Sequence, residues 1–378
     1  MPAAPAKLAA EDVTTSPAAT DLIRCLPPFK ICSVPTPTPP VVMKGTLFFF
    51  DGKQTTAGRL NLQTRQFEPS LPLNCSYDGT PSFLAGASLN GSVLYCGGTD
   101  ATGLEGGSVR QQIEVATGAI GGTFEQLIGE EVKHKIAWVP GTSNELYEIL
   151  DHMLLRFDPP KVNSPTWQLD LPDTPLVNPP PFSPDTAEYV NAVTIDPQGR
   201  YLYTYDSYSG KFVSVEISAA GGNYIVAFTL PPQTSLTGIT VAPSGTFAYA
   251  LSSHFTPGGL VRINLTARTV TNEQSTLKLG SDVLKTAFFN PAGTAFYVLD
   301  NVGRLTEINA QTNAVVRTVT LPGVTDAAIS TDGNSLLTIA ATAAGASSLT
   351  IRNASTLAAT GTIAAPAGVT FSSPLIVR

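Results

Sequence analysis

The chain has 378 residues, of which 43% are hydrophobic and 13% charged, and its formal net charge at pH 7 is −7. This balance provides a large core, and it disfavours non-specific binding of nucleic acid, which depends on Lys and Arg replacing phosphate counterions. No apolar run approaches the roughly 18–20 residues that a membrane-spanning helix needs. With 32 Gly and 31 Pro, the composition favours many short strands joined by tight turns.

The first 44 residues differ from the rest of the chain. They are rich in Ala, Pro and Thr and contain the segment VPTPTPP at 34–40. Proline at this density favours extended polyproline II structure and prevents helices and central strands. We therefore predict an extended arm over 1–44, with a disordered tail as the alternative. The segment also lacks a basic region followed by about 7–15 apolar residues, so no secretory signal is predicted.

Four cysteines, Cys25, Cys32, Cys75 and Cys96, form two pairs that are local in sequence. The first pair flanks a proline-containing loop, whereas Cys75 precedes a predicted strand and Cys96 ends one. The even number allows two disulfides in any of three pairings, and buried thiols are the alternative. None of the spacings is that of a CxxC motif, so a zinc site is not expected.

A repeat dominates the chain from residue 45 onward. Its clearest copies read DPQGRYLY at 196–203, APSGTFAY at 242–249 and NPAGTAFY at 290–297, and a degenerate copy reads STDGNSLL at 330–337. Pro fixes the first corner of a turn between two strands, and Gly supplies the positive φ that closes it. Successive glycines are 46, 48 and 40 residues apart, which is the length of one four-stranded propeller blade.

The strands that accompany these turns predict six complete blades, at 83–127, 133–171, 188–231, 235–279, 283–322 and 325–364. Residues 45–70 carry only three strands, at 46–50, 57–62 and 66–69, and the C-terminal segment 368–378 carries one surplus strand. Joining the two ends completes a seventh blade and removes exposed sheet edges. The predicted fold is all-β, a seven-bladed β-propeller over 45–378 closed by its N- and C-terminal strands and preceded by the extended Pro-rich arm. Six blades with the ends packed outside is the alternative.

The repeated strand, (D/N)-P-x-G-x-x-x-Y turn and following strand resemble those of the YVTN-type, lactonase-like seven-bladed propellers. The resemblance covers about residues 83–364 and is clearest from 188 to 322. The turn after the second strand has Asn and Ser in that family, and it is kept only loosely here, as DSYSG at 206–210 and DNVG at 300–303. The resemblance implies the fold but no single function, because the superfamily includes lactone hydrolases, surface-layer proteins and binding scaffolds.

The mouth of the central channel is the predicted binding site, because the residues just before each inner strand should ring it. The acids there and an Asn offer the oxygen ligands that Ca²⁺ prefers, and a bound cation would polarise a lactone carbonyl. We favour the interpretation that these polar groups only interact with water at the mouth, and we therefore expect no cofactor. The polar residues at these positions are Lys133, His134, Glu188, Asn191, Thr237, Asp282, Lys285 and Asp326.

An aromatic group is the second candidate surface. Tyr201, Tyr203 and Tyr205 alternate along one predicted strand and so share a face, and Tyr208 follows them. A shared aromatic face can bind a glycan or anchor a partner protein. Packing between blades is the more frequent use of such a face.

Turn acids recur at one position of the predicted blades, at Asp51, Asp100, Asp206 and Asp300. Asp favours such turns because its side chain accepts hydrogen bonds from nearby backbone N–H groups. We predict that these acids cap turns rather than bind ligands.

No catalytic residue is predicted. The three histidines, His134, His152 and His254, fall in different predicted strands or turns, and no nucleophile elbow, HExxH or P-loop motif occurs. The sequence therefore favours a non-enzymatic binding or structural propeller. We expect a virion component (a bacteriophage capsid, tail or receptor-binding protein) or a cell-surface or extracellular component.

In this interpretation the arm over 1–44 tethers the propeller to a protein assembly, and a propeller face binds a glycan or receptor. One alternative is a lactonase-like hydrolase that uses a metal at the channel mouth. The other is a cell-surface protein-interaction propeller.

Overall fold

The computed structural model describes parts of the chain between residues 45 and 377. They are residues 45–50, 56–73, 75, 83–87, 92–99, 108–126, 137–140, 146–150, 153–157, 167–170, 190–206, 211–217, 223–229, 236–252, 259–267, 269–270, 277–279, 284–341, 347–367 and 369–377. The predicted arm over 1–44 lies outside them. Every regular element in the described ranges is a β-strand, and no helix in them is long and apolar enough to span a membrane.

The strands form seven separate antiparallel sheets within these ranges. Sheet 1 combines β29 (Ser372–Val377) with β1 (Thr46–Phe50), β2 (Thr56–Asn61) and β3 (Gln66–Pro72). Sheet 2 contains β4 (Phe83–Ala87), β5 (Val93–Thr99), β6 (Ser108–Glu114) and β7 (Ile120–Gln126). Sheet 3 contains β8 (Ala137–Pro140), β9 (Leu146–Leu150), β10 (Met153–Phe157) and β11 (Trp167–Asp170).

The remaining four sheets come from the second half of the chain. Sheet 4 contains β12 (Val190–Ile195), β13 (Tyr201–Asp206), β14 (Lys211–Glu216) and β15 (Asn223–Thr229). Sheet 5 contains β16 (Leu236–Val241), β17 (Phe247–Ser252), β18 (Gly259–Asn264), β19 (Thr269–Val270) and β20 (Leu277–Lys278), the last two pairing with opposite ends of β18. Sheet 6 contains β21 (Leu284–Phe289), β22 (Ala295–Asp300), β23 (Arg304–Asn309) and β24 (Ala314–Thr320). Sheet 7 contains β25 (Val324–Ile329), β26 (Ser335–Ala341), β27 (Ser347–Asn353) and β28 (Ala359–Ala364).

The two ends of the described chain meet in sheet 1. Strand β29 pairs antiparallel with β1, and Thr46 lies opposite Val377. The first strands of the sheets also pack against one another in a fixed order. Strand β4 contacts β8, and the series continues through β12, β16, β21, β25 and β29 before β29 contacts β4 again. The order of neighbouring sheets is therefore cyclic.

The hydrophobic core is divided among the interfaces between neighbouring sheets. Six clusters of buried side chains lie in the described ranges, and each draws its members from two consecutive sheets. Between sheets 4 and 5, for example, Phe212 packs with Ala250 and Ile263, all of them fully buried. Sheets 1, 4, 5, 6 and 7 each contribute to two of these clusters, one with each neighbour, which explains why many of their strands are apolar on both faces.

The turns between the first and second strands of sheets 4 to 7 match the repeat that the sequence predicted. Their glycines, Gly199, Gly245, Gly293 and Gly333, have φ between 66° and 74°. Each of these glycines donates its N–H to the carbonyl three residues earlier, at 2.8–2.9 Å. The predicted role of glycine as the positive-φ closing residue is therefore confirmed in all four turns.

Candidate functional site

The first strands of six sheets share one irregularity near their beginning. At that point the strand carries one more residue than its partner, so the pairing register shifts. Such a β-bulge leaves the extra residue out of the ladder and re-aims its side chain, and bulges are common beside functional sites. In β29 the extra residue lies between Ser372 and Leu375. In the other five strands the bulge residues are Ala85, Asn191, Thr237, Lys285 and Thr325.

Burial distinguishes the bulge residues from the residues before them. Leu284 and Val324 are only 7% and 6% exposed, whereas the next residues, Lys285 and Thr325, are exposed. Strands β21 and β25 are neighbours, so these two polar side chains lie at the same end of adjacent strands. Lys285 and Thr325 therefore lie at the end of their sheets where the first strands begin, the strand-start end.

Asp326 follows the bulge in β25 and is partly buried. Its Oδ1 accepts a hydrogen bond of 2.8 Å from the N–H of Ala327. Burial raises the pKa of Asp326 above its usual range, although the Ala327 hydrogen bond and the charge of Lys285 act in the opposite direction. The structure therefore brings two residues of the predicted mouth, Lys285 and Asp326, within electrostatic reach of each other.

The other predicted mouth residues are described only in part. The backbone of Asn191 and Thr237 is described, and both are bulge residues. Lys133, His134, Glu188 and Asp282 lie outside the described residues. Within the described ranges, no group of three or more His, Cys, Asp or Glu side chains could hold a metal ion. A Ca²⁺ site that includes Glu188 or Asp282 stays a prediction.

A charged turn stands beside the bulge of sheet 6, since Leu284 pairs with Asp300. Asp300 is buried, and its Oδ1 accepts hydrogen bonds from the N–H groups of Val302 and Arg304, at 3.0 and 2.8 Å. Its Oδ2 lies 2.6 Å from Nε of Arg304. Asp300 thus caps its turn, as predicted, while Asp51, Asp100 and the side chain of Asp206 lie outside the description.

The aromatic candidates lie between two sheets. Tyr203 and Tyr205 are 5% and 2% exposed and belong to the cluster between sheets 4 and 5, and Tyr201 packs against that cluster while partly buried. Their common face, predicted from alternation, therefore packs against the next sheet, and Tyr203 and Tyr205 do not form an exposed surface. Tyr208 lies outside the described residues.

The cysteine pairing that the sequence left open is resolved for one pair. Cys75 and Cys96 form a disulfide with a Cα–Cα distance of 6.1 Å. Cys25 and Cys32 lie outside the described residues. Proximity in the sequence grouped Cys75 with Cys96 but left all three pairings open, because the pairing depends on which sheets become neighbours.

Comparison with known proteins identifies the fold but no family. No protein-family model matches the chain, and no curated protein does. Among solved structures, the chain is similar to a 6-phosphogluconolactonase-like protein from Bacteroides uniformis, with a TM-score of 0.61 and 12% identity over 88% of this chain and 99% of the other. It is also similar to apo AztD from Citrobacter koseri, with a TM-score of 0.56 and 10% identity over 89% and 98%. These similarities support a propeller-like all-β fold.

Proposed function

We propose that the seven sheets are the blades of a closed seven-bladed propeller of the lactonase-like type. The proposal is supported by the cyclic order of the first strands, by the pairing of β29 with β1 and by the similarity to two solved structures over most of the chain. An experimental structure of the full chain tests it. An open arc of sheets, or a ring with another number of blades, would contradict the proposal.

We infer that the protein acts as a non-enzymatic binding scaffold whose recognition surface is the strand-start end of the ring. The observation that carries this inference is the row of bulges, which places exposed Lys285 and Thr325 beside buried aliphatic residues. A polar rim held by rigid strands is preorganised for binding, because little side-chain or loop ordering is needed when a partner arrives. The expected partner is a glycan or receptor.

The same proposal includes the role expected for residues 1–44, which is to tether the propeller to a virion or cell-surface assembly. Fractionation of the native source tests this role. We expect the full chain to sediment with the assembly and a variant that lacks residues 1–44 to be released from it. A chain that is free in every fraction would contradict the tether.

Charge variants separate recognition from attachment. We expect Lys285→Glu to keep the chain attached to its assembly but to weaken adsorption of that assembly to its host cells. Val316→Ser is the matched control, because Val316 is 55% exposed but lies on β24, the outermost strand of its sheet. Equal adsorption by the wild type and by Lys285→Glu would refute the assignment of this recognition surface.

A lactonase-like hydrolase is the second candidate function. It is favoured by the similarity to the 6-phosphogluconolactonase-like structure and by Asp326, whose pKa is raised at the candidate site. Perturbed carboxyl groups are common at catalytic sites. We would expect turnover of sugar or acyl lactones in the presence of Ca²⁺, Mg²⁺ or Mn²⁺, and its loss in Glu188→Gln, Asp282→Asn and Asp326→Asn. The absence of turnover across such a panel would exclude this candidate.

A further inference from the structure

A covalent bond joins sheet 1 to sheet 2. Cys75 follows β3, the outermost strand of sheet 1, and Cys96 lies in β5 of sheet 2. The Cα–Cα distance of 6.1 Å falls within the range of about 4.4–6.8 Å that disulfides adopt. Because sheet 1 contains both β1 and β29, the bond ties the sheet in which the first and last described strands pair to the next sheet.

The disulfide lies in the core between these sheets. Both cysteines are 0% exposed, and they pack with Phe48 and Leu71 of sheet 1 and with Leu94 of sheet 2. Oε1 of Gln111 lies 3.8 Å from Sγ of Cys75 and 3.9 Å from Sγ of Cys96. A reducing agent can therefore reach the bond only when sheets 1 and 2 separate.

We propose that the Cys75–Cys96 disulfide locks the sheet in which β1 and β29 pair onto its neighbour, and that the protein completes its folding in an oxidising environment. As the S–S bond forms, the two thiols lose two protons and two electrons. A disulfide-bearing oxidant, either a small molecule or a protein, accepts them and is reduced to two thiols. Such bonds form and persist mainly in oxidising compartments. This inference is independent of what the protein binds.

Tryptic digestion tests the pairing directly. Residues 66–110 contain no Lys or Arg before the last position, so Cys75 and Cys96 stay in one peptide, whereas Cys25 and Cys32 fall in the separate peptides 25–30 and 31–44. The full chain is folded with reduced and oxidised glutathione, denatured in iodoacetamide and digested. We expect peptide 66–110 to remain unalkylated and to be lighter by two hydrogen atoms than its reduced form. Alkylation at both cysteines, or a cross-link to either other peptide, would overturn the proposal.

Reduction under native conditions tests the buried position. We expect dithiothreitol to leave the Cys75–Cys96 bond intact in the folded protein and to reduce it once urea has unfolded the chain. Equally fast reduction with and without urea would show that the bond is accessible and would contradict a lock between the sheets.

Thermal unfolding tests the effect on closure. We expect the double variant Cys75→Ala, Cys96→Ala to lower the Tm by about 4 °C. The bond joins residues that are 21 positions apart in the sequence, and its loss lets the unfolded chain gain entropy. The matched control, Cys25→Ala with Cys32→Ala, should keep the wild-type Tm. A Tm equal to that of the wild type in the first variant would refute the lock. If this variant fails to fold, the digestion of the wild-type chain still decides the pairing.

Discussion

Gly303 shows how one residue can be fixed by two constraints. Its φ is 81°, and a Cβ atom added there would collide with the carbonyl oxygen of Leu321. The backbone cannot easily move away, because the Leu321 N–H donates a 2.8 Å hydrogen bond to the Gly303 carbonyl. The turn before β23 and the end of β24 therefore depend on a residue without a side chain.

We expect Gly303→Ala to lower the free energy of unfolding by about 3 kcal/mol, through backbone strain and overpacking together. Gly118→Ala is the matched control, since Gly118 has a φ of 69° but a Cβ there would meet Pro72 only at an ordinary 3.5 Å. Its cost should be about 1 kcal/mol, from backbone strain alone. Urea unfolding of both variants measures the difference, and equal costs would contradict this explanation.

Buried tyrosines make stability depend on alkaline pH. Burial is the largest cause that raises the pKa of Tyr203, Tyr249 and Tyr297 to about 12, from the usual 10.0. Below pH 10 all three tyrosines are protonated in both the folded and the unfolded chain, so their contribution to stability is fully present. Above pH 10 the tyrosines of the unfolded chain ionise first, so the free energy of unfolding falls until the pH passes 12. Urea unfolding across this window measures the fall, and Tyr249→Phe should reduce it. A flat profile would be the contrary result.

Asp326 gives a second pH signature, at the candidate site. Because burial raises the pKa of this carboxyl, the fold favours its protonated form, and that stabilisation is lost as pH rises through the folded-state pKa. We expect Asp326→Asn, which can still accept the Ala327 hydrogen bond, to be more stable than the wild type at neutral pH. The gain should disappear in acid. A loss of stability at neutral pH would show that the carboxylate is favourable where it lies.

At the scale of elements, the turns after the first strands differ in their side-chain caps. Asp196, Asn290 and Ser330 each accept hydrogen bonds from backbone N–H groups four or five residues later. Ala242 occupies the same position without an acceptor, and its turn still closes through backbone hydrogen bonds. The cap therefore adds stability to the turn but is not needed to form it.

We expect Asn290→Ala to lower the free energy of unfolding by about 1–2 kcal/mol, because two N–H groups lose their side-chain acceptor. The variant should still fold, as the turn at Ala242 does. Asn290→Asp keeps the acceptor, as Asp196 does in its own turn, and should remain close to the wild type. Chemical denaturation of the two variants checks this, and an equal loss in both would show that the acceptor is not the cause.

The sequence predicted those elements whose signals are local. Pro and Gly determine the backbone conformation of a single turn, so the four turns and the strands beside them were predicted correctly from the sequence. The turns after the third strands were harder to predict from the sequence, because their caps depend on a single Asn side chain. These caps are Asn61, Asn309 and Asn353. The bulges at Lys285 and Thr325 were not predictable, since register depends on the partner strand.

At the scale of the whole molecule, the pairing of β29 with β1 completes sheet 1. Without β29, sheet 1 would keep three strands, β1 would become an exposed edge, and β25 and β4 would each lose a neighbour. The surplus strand at the C-terminus and the three strands after residue 45 were enough to predict this pairing. The disulfide partner of Cys96 was not predictable in the same way, because four cysteines allow three pairings.

We expect deletion of residues 372–378 to lower the Tm by more than any single substitution above and to cause aggregation, because an unpaired edge strand pairs with other chains. Calorimetry and size-exclusion chromatography measure the two effects. Deletion of residues 1–44 is the control, since it leaves the β1–β29 pairing intact, and it should keep the Tm. A monomeric, equally stable protein without β29 would contradict its role in closure.

Because Thr46 pairs antiparallel with Val377, the chain could also begin at a different strand and keep the same strand pairs. If a short hairpin replaced residues 1–44 and joined the two strands, the chain could be opened between β3 and β4 without altering any pair of neighbours. In such a circular permutant every sheet would come from one contiguous stretch of sequence. A chain that started at a different strand could therefore still form the same seven sheets.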